Sequence, residues 1–200
     1  MRKRLKQATN EAHERMHAHP GFAAAAAGTI KPGAYRDLLA RLYGFHAAFD
    51  LEMQAAPAAF AQDIDLPARA RADLIADDLV ALGVSRAGVA ALPRCEDLPR
   101  LSGEGDRLGA LYVVEGSTLG GVFIARALAA TAGNAHRFFL GHESDHSRLW
   151  RDLVRRLDKL DATPEEAAAA EFAALATFDA FERWMANWES AAGTLERAVA

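Results

Sequence analysis

The sequence predicts an all-α fold. Three observations carry that expectation. Apolar residues recur at helical spacing along six stretches, alanine-rich runs favour helix, and only seven prolines interrupt 200 residues. No stretch reads convincingly as a strand, and no internal repeat or linker divides the chain. One domain spanning residues 1–200 is expected.

The elements follow in order. Residues 4–18 place Leu5, Ala8, Ala12 and Met16 on one helix face. His19-Pro20-Gly21 ends that helix, because the residue before a proline is pushed out of the helical region. Residues 32–56 form a second helix with Pro32 in its first turn and a stripe of Tyr35, Leu38, Leu39, Leu42, Phe45, Phe49 and Met53. A third, over 67–82, turns Leu74, Ile75, Leu79 and Leu82 inward and stops at Gly83. Residues 85–103 hold Pro93 and Pro99 and read as an irregular connection with a short helical turn. A fourth helix covers 104–131, and a fifth covers 145–160 with Leu149, Trp150, Leu153 and Leu157. The last starts with Thr163 as cap, Pro164 at the first position, and Glu165 and Glu166 in the first turn. Its apolar positions are Phe172, Leu175, Phe178, Phe181, Trp184 and Trp188.

Composition bounds the function. An apolar share of 51% is enough for a core and too high for disorder. The net charge of −4 gives no reason to expect nucleic acid or an acidic membrane surface as partner. The single cysteine, Cys95, excludes a disulfide framework within the chain and a cysteine metal cluster. The basic N-terminal run has no apolar stretch behind it, unlike a secretory signal, and no apolar run reads as long enough to span a bilayer. A cytoplasmic protein is expected.

The fourth helix contains Gly109, Gly116, Gly120 and Gly121. Each glycine inside a helix costs about 1 kcal/mol against alanine, which this chain uses freely elsewhere. Gly109, Gly116 and Gly120 fall at +7 and +4 and so share a face bare of side chains, and Gly120-Gly121 favours a kink. Close helix packing explains such a face, and so does a large planar ligand lying on it; spacing leaves both open. Of the seven histidines, His13 and His17 stand one turn apart on the first helix. No HExxH motif occurs; Glu14–His17 and Glu143–His146 have the spacing used in di-iron bundles, without the other glutamates clearly in place. His46, inside the apolar stripe, reads as a satisfied, partly buried histidine, and His136, His142 and His146 as solvated.

Two segments together resemble the haem oxygenase family. Leu5-Lys6-Gln7-Ala8-Thr9-Asn10-Glu11-Ala12-His13 is similar to that family's N-terminal helix, which ends in the proximal haem ligand. Leu108-Gly109-Ala110-Leu111-Tyr112-Val113-Val114-Glu115-Gly116-Ser117-Thr118-Leu119-Gly120-Gly121 resembles the kinked distal helix of bacterial members, including those associated with bacteriophytochromes. Phe138-Phe139, Trp150 and Thr177-Phe178 extend the likeness over most of the chain.

The resemblance implies a single-domain helical bundle with a glycine-kinked distal helix. Haem b, both substrate and cofactor, would lie between the first and fourth helices. His13 is then the axial ligand to iron, leaving the opposite position open to dioxygen. Gly116, Ser117 and Gly120 cover the distal, catalytic side, with Gly121 beside them. Lys6, Tyr112, Arg151 and Arg155 are implied as haem contacts around the propionates. The implied reaction is oxidative cleavage of haem to biliverdin, carbon monoxide and ferrous iron, with electrons from a reductase or ferredoxin. A haem-binding carrier or sensor without turnover is the alternative on the same fold. Three departures stand out: Ser117 replaces an aspartate of the animal enzymes, His17 replaces a frequent acid, and residues 141–146 replace a Tyr-Gly-rich stretch.

Overall fold

The structure, a computed structural model, describes residues 1–129, 132–141, 146–160 and 163–191. Every regular element among them is helical. Helix α1 (Arg2–His17) buries Leu5 and Ala12, and the buried Thr9 hydroxyl donates to the Leu5 carbonyl at 2.8 Å. Pro20, which ends α1, opens α2 (Pro20–Ala26) as its first-turn residue. Helix α3 (Pro32–Gln54) buries every residue of the predicted stripe.

The predicted 67–82 helix begins five residues late. Helix α4 (Ala58–Asp63) and a 3-10 turn over Leu66–Arg69 come first. Asp65 is left-handed (φ 54°) and Ala70 extended (ψ 136°), so neither continues a helix. Helix α5 (Ala72–Ala81) then starts where the Asp50 carboxylate of α3 accepts the backbone N–H groups of Arg71 and Ala72, each at 3.0 Å. A carboxylate from another helix thus satisfies donors that a helix start leaves orphaned. Helix α6 (Arg86–Ala90) is the expected short turn, capped by the Ser85 hydroxyl accepting from Gly88 N–H at 3.0 Å.

The predicted 104–131 helix is two helices, α7 (Glu104–Gly116) and α8 (Thr118–Leu128), interrupted at Ser117. By length and composition Glu104–Leu128 could cross a membrane, against the sequence expectation; 56% of its apolar window is buried, as in a core helix. Helices α9 (Arg137–Leu140), α10 (His146–Lys159) and α11 (Pro164–Met185) follow, then a 3-10 turn over Trp188–Ala191. Thr163 sits at the N-cap of α11, but its side chain makes no capping bond. Thr131 and residues 142–145 lie outside the described residues.

Helices α7 and α11 touch backbone to backbone. A methyl on Gly105 would overlap the Glu166 carbonyl, and one on Gly109 the Ala170 carbonyl. The face α11 turns to α7 is therefore small: Ala167, Ala170, Ala173 and Ala174 are buried. This overturns part of the apolar stripe predicted for α11. Phe172 is 71% exposed and Leu175 also reaches the surface. Beneath α7 a buried ion pair joins Arg69 to Glu115, and Arg69 also donates to the Ile64 and Leu149 carbonyls. The guanidinium thereby ties the Leu66–Arg69 turn to α7 and α10.

The glycine contacts predict opposite signs for one substitution. Gly109→Ala is expected to destabilise by about 1–3 kcal/mol despite alanine's helix preference. Gly120→Ala, with no atom within 4 Å of the new methyl, is expected to stabilise by up to about 1 kcal/mol. Urea unfolding checks this; equal shifts would sink the packing account.

Candidate functional site

Two apolar clusters make up the core. One gathers Phe45, Val113, Val114 and Phe178; the other gathers Leu42, Phe138 and Phe139. A crevice of about 460 Å³ opens where they meet, lined by all seven of these residues. That volume lies within the roughly 300–1,000 Å³ typical of small-molecule and cofactor sites. His13 and His17 of α1 line it, as do Gly116, Ser117, Gly120 and Gly121 from the α7–α8 junction.

His13 is half exposed, with Nδ1 3.8 Å from the Glu14 carboxylate. Its ring meets that of His17 edge-on, centroids 4.5 Å apart and planes at 72°. Burial, then the neighbouring His17, holds the His13 pKa below the ordinary histidine value, outweighing Glu14. The imidazole is thus biased toward its neutral form, the form that ligates metal.

The glycines divide between the two explanations that spacing left open. Gly109 serves helix packing, as described. Gly121 does too, since a methyl there would stand 2.5 Å from the Phe139 carbonyl oxygen. Gly120 has open space around its Cβ position, and a methyl at Gly116 would meet only the Trp150 ring, at 3.7 Å. Between them the Ser117 hydroxyl donates to the Val114 carbonyl at 2.8 Å. Its hydrogen is committed, and its lone pairs remain available as acceptors.

Four residues implied around the propionates do not line the crevice. Lys6 is exposed on α1, yet its charge reaches His13 and helps lower that pKa. Tyr112 packs on Trp150, ring centroids 5.7 Å apart, and burial raises its hydroxyl pKa. Arg151 donates through Nε to the Ser147 carbonyl at 3.0 Å. Arg155 is exposed and pairs with Asp152 three residues earlier. Both arginines spend donors on their own helix. Among the described residues the lining includes no lysine or arginine.

Two polar groups escaped the sequence reading. His46, expected to be satisfied, lines the crevice and is 4% exposed, with no partner for Nδ1. Phe45 and Phe138 meet its ring edge-on, at 5.6 and 5.0 Å. Burial, aided by the charge of Arg71, lowers its pKa to about 3. Arg71 is itself 2% exposed, with Nε and Nη1 unpartnered. Unpaired buried polar atoms are uncommon and call for ordered water or a ligand. The available signal was a histidine in an otherwise apolar stripe. His136, expected to be solvated, also has a buried, unpartnered Nδ1, whereas His142 and Glu143 lie outside the described residues. Among the described residues no group of three or more His, Cys, Asp or Glu side chains could hold a metal, so the di-iron pattern has no counterpart there.

The crevice fits a flat, largely apolar macrocycle carrying iron. Phenylalanine, leucine and valine side chains line it, a neutral-biased imidazole reaches it, and side-chain-free backbone lies at Gly116 and Gly120. Phe123 also lines it while 72% exposed, so an apolar plate entering there would cover that ring.

The depressed His46 pKa carries a stability consequence. Folded, the group titrates near 3; unfolded, near the ordinary 6.5. The unfolded chain therefore binds more protons in that window, and stability present above pH 6.5 is lost as pH falls toward 3. His46→Phe keeps the ring packing and is expected to remove this share of acid lability, about 2 kcal/mol at pH 5. Urea midpoints of both proteins at pH 7 and pH 5 measure it; parallel losses would contradict the neutral, buried assignment.

Comparison with known proteins agrees with the site. Residues 1–187 match the family model described as Heme oxygenase. A comparison with curated proteins gives no match. An all-helical chain, matched over nearly its whole length and holding a histidine and bare glycines around one apolar crevice, belongs to the haem oxygenase family of haem-degrading oxidoreductases.

Proposed function

We propose that this chain opens haem b to biliverdin, releasing carbon monoxide and ferrous iron. Dioxygen is the oxidant and a reductase or ferredoxin the electron donor, in the manner of the bacterial, bacteriophytochrome-associated members, and the enzyme works in the cytoplasm as one domain. The observation that carries the reading is the shared crevice. His13 and the Gly116–Gly121 run reach the same apolar space from separate helices.

Haem, when bound, supplies both the ring carbon that is oxidised and the iron at which dioxygen is reduced. Each residue then has a role set by its chemistry. His13 offers a neutral imidazole to the iron, favoured by burial and by His17. Gly116 and Gly120 would let the backbone approach a bound macrocycle closely and would limit sterically where it can react. Ser117, its hydroxyl hydrogen engaged at Val114, accepts a hydrogen bond from water and is no strong acid. That suits a reaction which a strong distal acid would divert. His46 and Arg71, with unpartnered buried nitrogens, hold ordered water near the crevice, and that water is the proton source. Lys6, whose charge is felt at His13, is the cation we assign to the propionates. Gly121 forms part of the wall by admitting the Phe139 backbone, and Tyr112, Arg151 and Arg155 act at longer range, through packing and charge.

Haem titration of wild type and His13→Ala, followed by turnover with ascorbate or a ferredoxin system, tests this reading. Wild type is expected to bind haem and then lose its Soret band as biliverdin absorption grows. His13→Ala is expected to keep crevice binding, lose the normal ligand field, and turn over at least about tenfold more slowly, a barrier change of roughly 1.4 kcal/mol or more. A wild-type Soret band that persists under reductant and oxygen would indicate a carrier instead.

A further inference from the structure

We infer that His13 and His17 together form a chelating site for a bare divalent transition-metal cation of six-coordinate preference, filled when the crevice holds no haem. The two rings lie one turn apart on α1, both exposed and both lining the crevice. Their separation carries the argument. A metal–imidazole bond of about 2.1 Å puts the cation roughly 3.2 Å from each ring centroid. Two imidazoles bound at about 90° then have centroids about 4.5 Å apart, whereas a tetrahedral angle requires about 5.2 Å. The pair stands at 4.5 Å.

That spacing favours cations with right-angled coordination, such as Ni²⁺ and Cu²⁺, over tetrahedral Zn²⁺. The surroundings bear on it in both directions. The Glu14 carboxylate beside His13 attracts a cation, and the charge of Lys6 opposes one. No third protein donor is grouped with the pair among the described residues, so water completes the shell. This chemistry extends to the ferrous product, which ranks below Ni²⁺ in affinity for such donors. Because His13 belongs to the chelate, a bound cation withholds it from haem. This competition rests on the haem reading above; the chelate does not.

Isothermal titration of the tag-free, haem-free full chain with nickel chloride tests the site. Wild type is expected to show a site that weakens at least about tenfold in both His13→Ala and His17→Ala. Circular dichroism of each variant establishes that its helices remain. No nickel binding by wild type, or unchanged binding by His17→Ala, would overturn the proposal. A second arm follows haem uptake at the Soret band with and without excess nickel. Nickel is expected to suppress uptake by wild type and leave that of His17→Ala unaffected. Nickel that stays bound through both histidines while haem is taken up would uphold the chelate and remove His13 as the haem ligand, so the two readings fail separately.

Discussion

The fold depends on the contact between α7 and α11, where no side chain fits. Gly105 meets the Glu166 carbonyl and, four residues on along both helices, Gly109 meets that of Ala170. The helices therefore run in the same direction, pinned at their N-terminal halves. Further along, α11 exchanges its alanines for Phe178 and Phe181, both of which line the crevice. Small residues close the gap between the helices at one end, and large ones face an open space at the other. The same contact explains why the glycines of one stretch have two purposes. Gly105 and Gly109 admit a neighbouring helix, whereas Gly116 and Gly120 leave room unfilled. Gly121 again admits backbone, that of Phe139.

Much of this was legible in the sequence, wherever one physical signal dominated. The α3 stripe is large, apolar and helically spaced, and all of it is buried. His13 and the glycine run are unusual residues in ordinary helices, and they do line one crevice. The α11 face departs from the predicted stripe because burial there goes with small side chains and not with large apolar ones. Close approach there favours alanine, which a search for large residues passes over, and Phe172 is left in solvent. Short helices such as α4 and α9 lack the two or three turns a periodic pattern needs. The start of α5 is set by Asp50, far away in sequence, and no local signal could announce it.

The arginines and His46 show the complementary limit. Arg151 and Arg155 share one basic face by spacing, yet partners on α10 itself take up their donors. Spacing records which side chains are neighbours and does not record which bonds they prefer. His46 lay in plain view within an apolar stripe, but its missing partner is a property of three dimensions. A buried imidazole and a buried guanidinium that leave His46 Nδ1 and Arg71 Nε and Nη1 without partners are unfavourable for stability alone. Arrangements that stability does not explain are most economically explained by what occupies the adjoining space.

Carboxylates hold the walls of that space. Asp78 on α5 is fully buried and accepts the backbone N–H groups of Arg137 and Phe138 at 3.0 and 2.9 Å. Burial raises its pKa, and these two hydrogen bonds oppose that rise. The bonds fix the start of α9, and α9 carries Phe138 and Phe139 into the crevice. The Phe139 carbonyl in turn lies against Gly121, one residue beyond the bare Gly120. One carboxyl side chain on α5 thus positions an aromatic wall, and through it the glycine turn of α8. Position in the crevice passes along backbone contacts that admit no side chain, so the site is only as rigid as its closest-packed glycines.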